Sequence, residues 1–210
     1  MNNVANLYNP AEQRAKPRFG VRPPQRRNPF ARKPRHSGDA AEGLVARDGQ
    51  KLIIRSIRSD DVEALQRFFG RLTPAEVRMR FLHPMNELTE PFARQLCDLD
   101  PNEAFAWVLA DPDENATPEI YGVARGHADR VLEEAEFAII MQGRFARQGF
   151  GTRLMQHVID SARKLGVSEL WSDVLIDNGA MLALSHSLGF TRSMTPQNPG
   201  VLRVRLDLTA

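Results

Sequence analysis

Three stretches in the second half of the chain have residue types and spacings that suit chemistry. The first is Arg147-Gln148-Gly149-Phe150-Gly151-Thr152. Two glycines one residue apart let the backbone turn sharply and approach a ligand closely. The apolar-periodic residues that follow make the turn the start of a helix, whose first N–H groups are unpaired and whose dipole end is positive. A phosphate or pyrophosphate suits such a site. The turn is not a P-loop, because no Gly-Lys-Ser/Thr follows. It is not a dinucleotide fingerprint either, because the third glycine and the βαβ setting are missing. Taken alone it is equally well a tight turn into a helix. The second stretch runs from Asp177-Asn178-Gly179 through Met181-Leu182-Ala183-Leu184-Ser185-His186 to Leu188-Gly189-Phe190. Asn178 is placed to cap a helix and Gly189 to end it. The third is Glu136 in Ala135–Met141 (AEFAIIM). On a strand it shares a face with Ala138 and Ile140. A carboxylate in an apolar row either faces solvent or sits in a reactive site, and the spacing alone leaves both open.

The elements that must position these residues are legible from the pattern. Lys51–Ile57 (KLIIRSI) predicts a strand. Asp60 and Asp61 open a helix in which Val62, Leu65, Phe68 and Phe69 recur at helical spacing, with Gly70 as the stop. Thr73 before Pro74 is an N-cap and forms a T-x-x-E box with Glu76, starting a helix to about Phe81. Another helix follows Thr89 and Pro91. Phe105–Ala110 predicts a buried strand, Asp111–Pro118 a polar turn, and Ile120–Gly126 with Ala135–Met141 a pair of antiparallel strands. A long helix follows Gly149, with Leu154, Val158, Ala162 and Leu165 on one stripe. Then come a strand at Glu169–Leu175, a helix at Ala180–Leu188, and strands near Phe190 and over Val201–Leu206. This order predicts a mixed sheet in an α/β or α+β domain.

Composition limits the function classes. The 210 residues allow one ordinary domain plus a tail. The formal charge of +2 hides a split. Residues 1–43 hold nine Lys/Arg against three acids, or +6, which leaves 19 basic against 23 acidic residues, or −4, in 44–210. The leader also has six of the fourteen prolines and few apolar residues. It is expected to be disordered, and residues 44–210 are expected to be the folded domain. Tyr8, Phe19 and Phe30 lie among its arginines. That mixture suits nucleic acid, an anionic membrane surface or an acidic partner, and equally a plain solubilising tail. The single cysteine, Cys97, rules out an internal disulfide framework and is expected to be packing. His83, His127 and His157 have no metal-ligand spacing, so no metal is expected. Trp107 and Trp171 fall in strands and are expected in the core. No apolar run reaches the roughly 20 residues of a membrane span, and a cytoplasmic protein is the default.

Together these pieces resemble the GNAT acyltransferase superfamily. The shared order is the strand with Glu136, the R-Q-G-F-G-T turn, a long helix, a strand, the Asn178 helix, and Leu188-Gly189-Phe190. More closely, Arg80-Phe81-Leu82-His83-Pro84-Met85, Ala135-Glu136-Phe137-Ala138, and Asn178 through Met181-Leu182-Ala183-Leu184 to Leu188-Gly189-Phe190 look like bacterial Pat-type protein lysine acetyltransferases. The resemblance covers about residues 50–208 and leaves the leader out. It implies an α/β (α+β) fold: a mixed, twisted, mostly antiparallel sheet with helices on both faces and two central strands splayed to hold acyl-CoA. It implies acetyl-CoA as co-substrate, with Ala138, Ile139 and Ile140 on the splayed strand and Arg147, Gln148, Gly149, Gly151 and Thr152 at the pyrophosphate. The family pattern Q/R-x-x-G-x-G puts Gln or Arg where Ala146 stands here, with Arg147 beside it to supply positive charge. Asn178 is implied to touch the cofactor arm, cap its helix, or do both.

The reaction implied is attack of a primary amine on the acyl thioester. A lysine amine with pKa near 10.4 is only about 0.04% neutral at pH 7, and making it neutral costs roughly 4.6 kcal/mol. A positioned base offsets that cost. In Pat-type enzymes a strand glutamate is that base, and Glu136 matches it. Ser185 stands where many family members have a tyrosine that protonates the leaving thiolate. A serine is a weaker acid, so its role there is a hydrogen bond to sulfur or a water relay. The acceptor implied is a protein lysine. The alternatives are a small amine or antibiotic, or a non-catalytic acyl-CoA-binding module.

Overall fold

The computed structural model describes residues 41–209 apart from 83, 113–118, 130, 132 and 196–197. Most of the leader, His83 and most of the turn at Asp111–Pro118 lie outside the described residues. The elements are β1 (Glu42–Val45), β2 (Lys51–Ser56), α1 (Val62–Gly70), α2 (Pro74–Phe81), α3 (Glu90–Cys97), β3 (Ala104–Ala110), β4 (Ile120–Asp129), β5 (Glu134–Met141), α4 (Phe150–Lys164), β6 (Glu169–Leu175), α5 (Gly179–Ser187), β7 (Thr191–Met194) and β8 (Val201–Asp207). Eight strands form one sheet in the order β1-β2-β3-β4-β5-β6-β8-β7. Every neighbouring pair is antiparallel except β5 and β6. The mixed sheet expected from the element order is therefore present, and it is mostly antiparallel, as the resemblance implies.

Strand alternation splits the core into two layers. Leu52, Ile54, Trp107, Leu109, Phe137 and Leu170 pack toward α4, whose buried stripe is Phe150, Leu154, Met155, Val158, Ile159 and Ala162. Ile57, Val108, Ile120 and Val123 point to the opposite face and meet Leu65, Phe68 and Phe69 of α1, Phe81 of α2 and Phe92 of α3. The helices thus cover both faces of the sheet, and the strands carry alternate apolar sets because both faces are buried.

Local chemistry explains the helix ends. α2 begins with the expected capping box: Thr73 Oγ1 accepts from Glu76 N at 3.2 Å, and Glu76 Oε2 accepts from Thr73 N at 2.7 Å. Asp61 precedes α1 but its carboxylate caps nothing. It receives both terminal nitrogens of Arg55, at 2.7 and 2.8 Å, and the Arg58 N–H at 2.8 Å. This buried pair clips the start of α1 to β2.

Two sequence expectations are revised here. The first strand begins at Glu42, two residues before the expected start of the folded domain at Leu44. Four residues that include a glycine give no strand signal. The strand is held by its ladder to β2 and by Glu42, which meets His157 Nε2 at 3.1 Å and Arg153 at 3.5 Å on α4. Trp107 is in the core, but Trp171 is only half-buried. Leu170, Ser172 and Val174 take the inward side of β6, so Trp171 turns to the other face, where the Arg203 guanidinium lies 4.0 Å over its ring.

Gly126 on β4 faces the ring of its cross-strand partner Phe105. A Cβ at Gly126 would lie 2.2 Å from Phe105 Cζ. Gly126→Ala is expected to cost about 1–3 kcal/mol by overpacking. Gly43→Ala, with nothing within 4 Å of the new Cβ, is the near-neutral control, and urea unfolding of both reads the difference.

Candidate active site

The β5–β6 seam is short. β5 and β6 pair only at Glu134↔Glu169, Ala135↔Leu170 and Glu136↔Trp171. Past that point β5 continues to Met141 and β6 to Leu175 with no ladder between them. Each strand is held by its outer neighbour instead. β5 pairs with β4 along its whole length, and β6 pairs with β8 from Glu169 to Leu175. Divergence therefore gives up hydrogen bonds only along the seam. On the open side of β5, every other residue of Phe137–Met141 offers its N–H and C=O to whatever lies between the strands.

Glu136 is the last residue of β5 paired with β6, at the apex of this opening, and is 5% exposed. Its cross-strand partner His127 and the pair Arg125–Ala138 put an imidazole and a guanidinium on the same sheet face. Arg125 is buried and donates to the Leu96 carbonyl at 2.6 Å. Burial pushes Arg125 down to about 10. Arg80 on α2 lies under the same roof. Burial and the Arg125 charge push it down to about 9, with Glu136 opposing. Both stay cationic at neutral pH.

The glycine turn stands at the far end of the opening. Gly149, with φ of +87°, occupies the N-cap of α4, a conformation that favours glycine. Arg147 is also left-handed, with φ of 58°. The first intrahelical bond runs from Arg153 N to Gly149 O, so the N–H groups of Phe150, Gly151 and Thr152 have no acceptor within the helix. The Gln148 side chain faces the protein: Nε2 donates to Arg144 O at 2.9 Å and Oε1 accepts from Arg47 N at 2.8 Å. Arg47 also donates to Arg147 O at 2.9 Å. The β1–β2 hairpin thus fixes the turn, and only the Gln148 backbone is left to serve a ligand.

A Cβ on Gly151 would sit 3.4 Å from Leu184 Cδ2 and 4.0 Å from Met141 Cε. Gly151 is therefore where the end of β5, the start of α4 and the flank of α5 converge. Asn178 caps α5 through Met181 N at 3.1 Å, which spends its oxygen on the helix. Ser185, two residues before the end of α5, is 2% exposed, and its hydroxyl has no hydrogen-bond partner among the described residues. A buried unpaired hydroxyl costs about 1–3 kcal/mol. Such an atom fits a site completed by a ligand or a water.

Cys97 is 4% exposed, and burial pushes its thiol up to about 12, which fits packing and not nucleophilic chemistry. Among the described residues there is no group of three metal-ligating side chains, and no helix is long and apolar enough to cross a membrane.

Comparison with known proteins decides the family. The model of the acetyltransferase (GNAT) domain matches residues 51–191. The chain belongs to the GNAT acetyltransferase family. An acetyltransferase of Pseudomonas aeruginosa is 30% identical over 161 residues, spanning 77% of this chain and 86% of that one. The ribosomal protein bS18 alanine N-acetyltransferase of Escherichia coli is 42% identical over 69 residues, 32% of this chain and 47% of that one. Among solved structures, the GNAT domain of S. lividans PAT superposes with a TM-score of 0.69 at 23% identity, covering 80% of this chain and 96% of that domain. As a GNAT protein the chain is an N-acetyltransferase.

Sequence reasoning missed that Arg80 and Arg125 lie beside the sheet face that carries Glu136. Arg125 had a signal: it is a lone charge on β4 between Val123 and His127, at an inward position of a buried strand. The same argument singled out Glu136.

Proposed function

We propose that this chain transfers the acetyl group of acetyl-CoA to a primary amine, with a protein lysine as acceptor and Glu136 as the base. The observation that carries the reading is the end of the β5–β6 ladder at Glu136. A thioester lying between the strands along Ala138, Ile139 and Ile140 presents its carbonyl beside that carboxylate. The unpaired N–H groups of Phe150, Gly151 and Thr152, the Gly149 backbone and the charge of Arg147 suit the pyrophosphate. The protein lysine acceptor rests on the likeness to Pat-type enzymes.

In the proposed step Glu136 takes a proton from the ammonium, directly or through a water. The neutral nitrogen then attacks the thioester carbonyl carbon. The new C–N bond forms, the C–S bond breaks, and the sulfur leaves as thiolate. A free thiol near pKa 8.5 is a tolerable leaving group. Ser185 supports it with a hydrogen bond to sulfur, and solvent supplies the final proton. The excess proton on the new amide nitrogen is lost to solvent, and Glu136 then releases the proton it took, which restores the carboxylate.

A second reading makes the acceptor a protein α-amine. It is favoured by the relative that acts on alanine of ribosomal protein bS18. An α-amine near pKa 8 needs less help from a base. The test uses labelled acetyl-CoA and three acceptors: a lysine peptide with a blocked N-terminus, a lysine-free peptide with a free N-terminal alanine, and a small alkyl amine. The lysine peptide is expected to react at least tenfold faster than the others. A faster alanine peptide replaces the first reading with the second.

A further inference from the structure

A cavity of about 40 Å³ lies between the sheet and α1–α2, lined by Val123, Arg125, Ala138 and Ile140 from the sheet and by Phe68 and Arg80 from the helices. Its walls are apolar except for the two arginines. Ala138 and Ile140 share the face of Glu136 and lie on the strand that borders the opening. The cavity therefore adjoins the place where the acyl carbonyl and the amine would meet.

Among the described residues, the charges around it do not balance. Arg80 is stacked on Phe81 at 4.7 Å, and Arg125 has one hydrogen bond to a carbonyl. Neither makes an ion pair with a carboxylate among the described residues. A guanidinium has five N–H donors, so most remain for another group. Glu136 is the carboxylate that acts on Arg80. Asp61, another carboxylate on this side, is bound bidentately by Arg55. A buried Arg125 and a half-buried Arg80 against one anion leave positive charge uncompensated. A second carboxylate in the cavity would offset that cost through charge-assisted, bidentate contacts.

We infer that this cavity is a carboxylate subsite, so that one of the reacting molecules carries a carboxylate a few atoms from its reacting centre. The inference rests on the acetyltransferase reading above and extends it to substrate choice. The carboxylate belongs either to the acyl chain, as in a dicarboxylic acyl-CoA, or to the acceptor, as in an ω-amino acid.

The test uses the full chain. One arm compares succinyl-CoA with butyryl-CoA, of equal carbon count but neutral, by calorimetric binding and by transfer to one lysine peptide. The other compares 4-aminobutyrate with butylamine as acceptors of acetyl from acetyl-CoA. A preference of tenfold or more for the carboxylate in either arm supports the subsite and names its source. In Arg80→Gln and, as a second variant, Arg125→Gln, that preference is expected to fall at least tenfold. Taking the ratio within each variant removes general losses of activity, and melting temperatures report whether each variant folds. A wild-type protein that binds and transfers acetyl but prefers the carboxylate in neither arm overturns the subsite alone. A protein that binds no acyl-CoA overturns both readings.

Discussion

Glu136→Gln is expected to lower kcat/KM by about 10²–10⁴-fold, while the dissociation constant for acetyl-CoA stays within a few-fold. The glutamine keeps the size and one acceptor oxygen of a residue that is 5% exposed at the end of the β5–β6 ladder. It removes the ability to take a proton and the negative charge that acts on Arg80. The pH profile adds a second readout. Without the base, the rate should follow the neutral fraction of the lysine, rising about tenfold per pH unit until near 10.4. The wild-type profile should be flatter over that range. Unchanged turnover in the variant would remove Glu136 from the reaction. Lost acetyl-CoA binding would show that it acts on the cofactor.

Asp61→Ala is expected to cost about 3–5 kcal/mol of folding stability, read by urea unfolding. Asp61 is 1% exposed and Arg55 7%. Removing the carboxylate leaves the Arg55 charge buried and unpaired, and that stranded charge is the larger part of the loss. A paired replacement, Arg55→Leu with Asp61→Leu, should therefore recover much of the stability. If the double variant is as unstable as the single one, the loss belongs to the start of α1 and not to the charge. Because α1 roofs the side of the sheet that carries Glu136, activity should fall in step with the folded fraction.

Much of this fold was legible in the sequence because its signals are local. The capping box at Thr73 and Glu76, the glycine punctuation at Gly149 and Gly189, and the alternation of AEFAIIM each act over a few residues. β1 was missed because it exists through its partners: a short edge strand has no periodicity to read. Trp171 was misplaced for a related reason. A tryptophan on a strand reads as core, but which face it takes depends on which neighbours claim the other side. Of the site, the glycine turn and Glu136 were legible as unusual residues in plain settings. Their alignment along one opening was not, since it depends on where a ladder between distant strands stops. Arg80 was hidden because arginine on a helix such as α2 normally means solvent, and only the packing of α1–α3 on the sheet half-buries it.

The short seam also has a mechanical consequence. β1 to β5 form one plate and β6 to β8 another, hinged by three residue pairs. A molecule that bridges the gap, hydrogen-bonding to β5 and packing on the α5 side, is a staple as well as a substrate. It stabilises the whole domain by RT ln(1 + [L]/Kd), about 2.7 kcal/mol at a hundred times its dissociation constant. On the proposed placement of acetyl-CoA along β5, cleavage at the thioester is expected to weaken that staple and with it the tie between the plates.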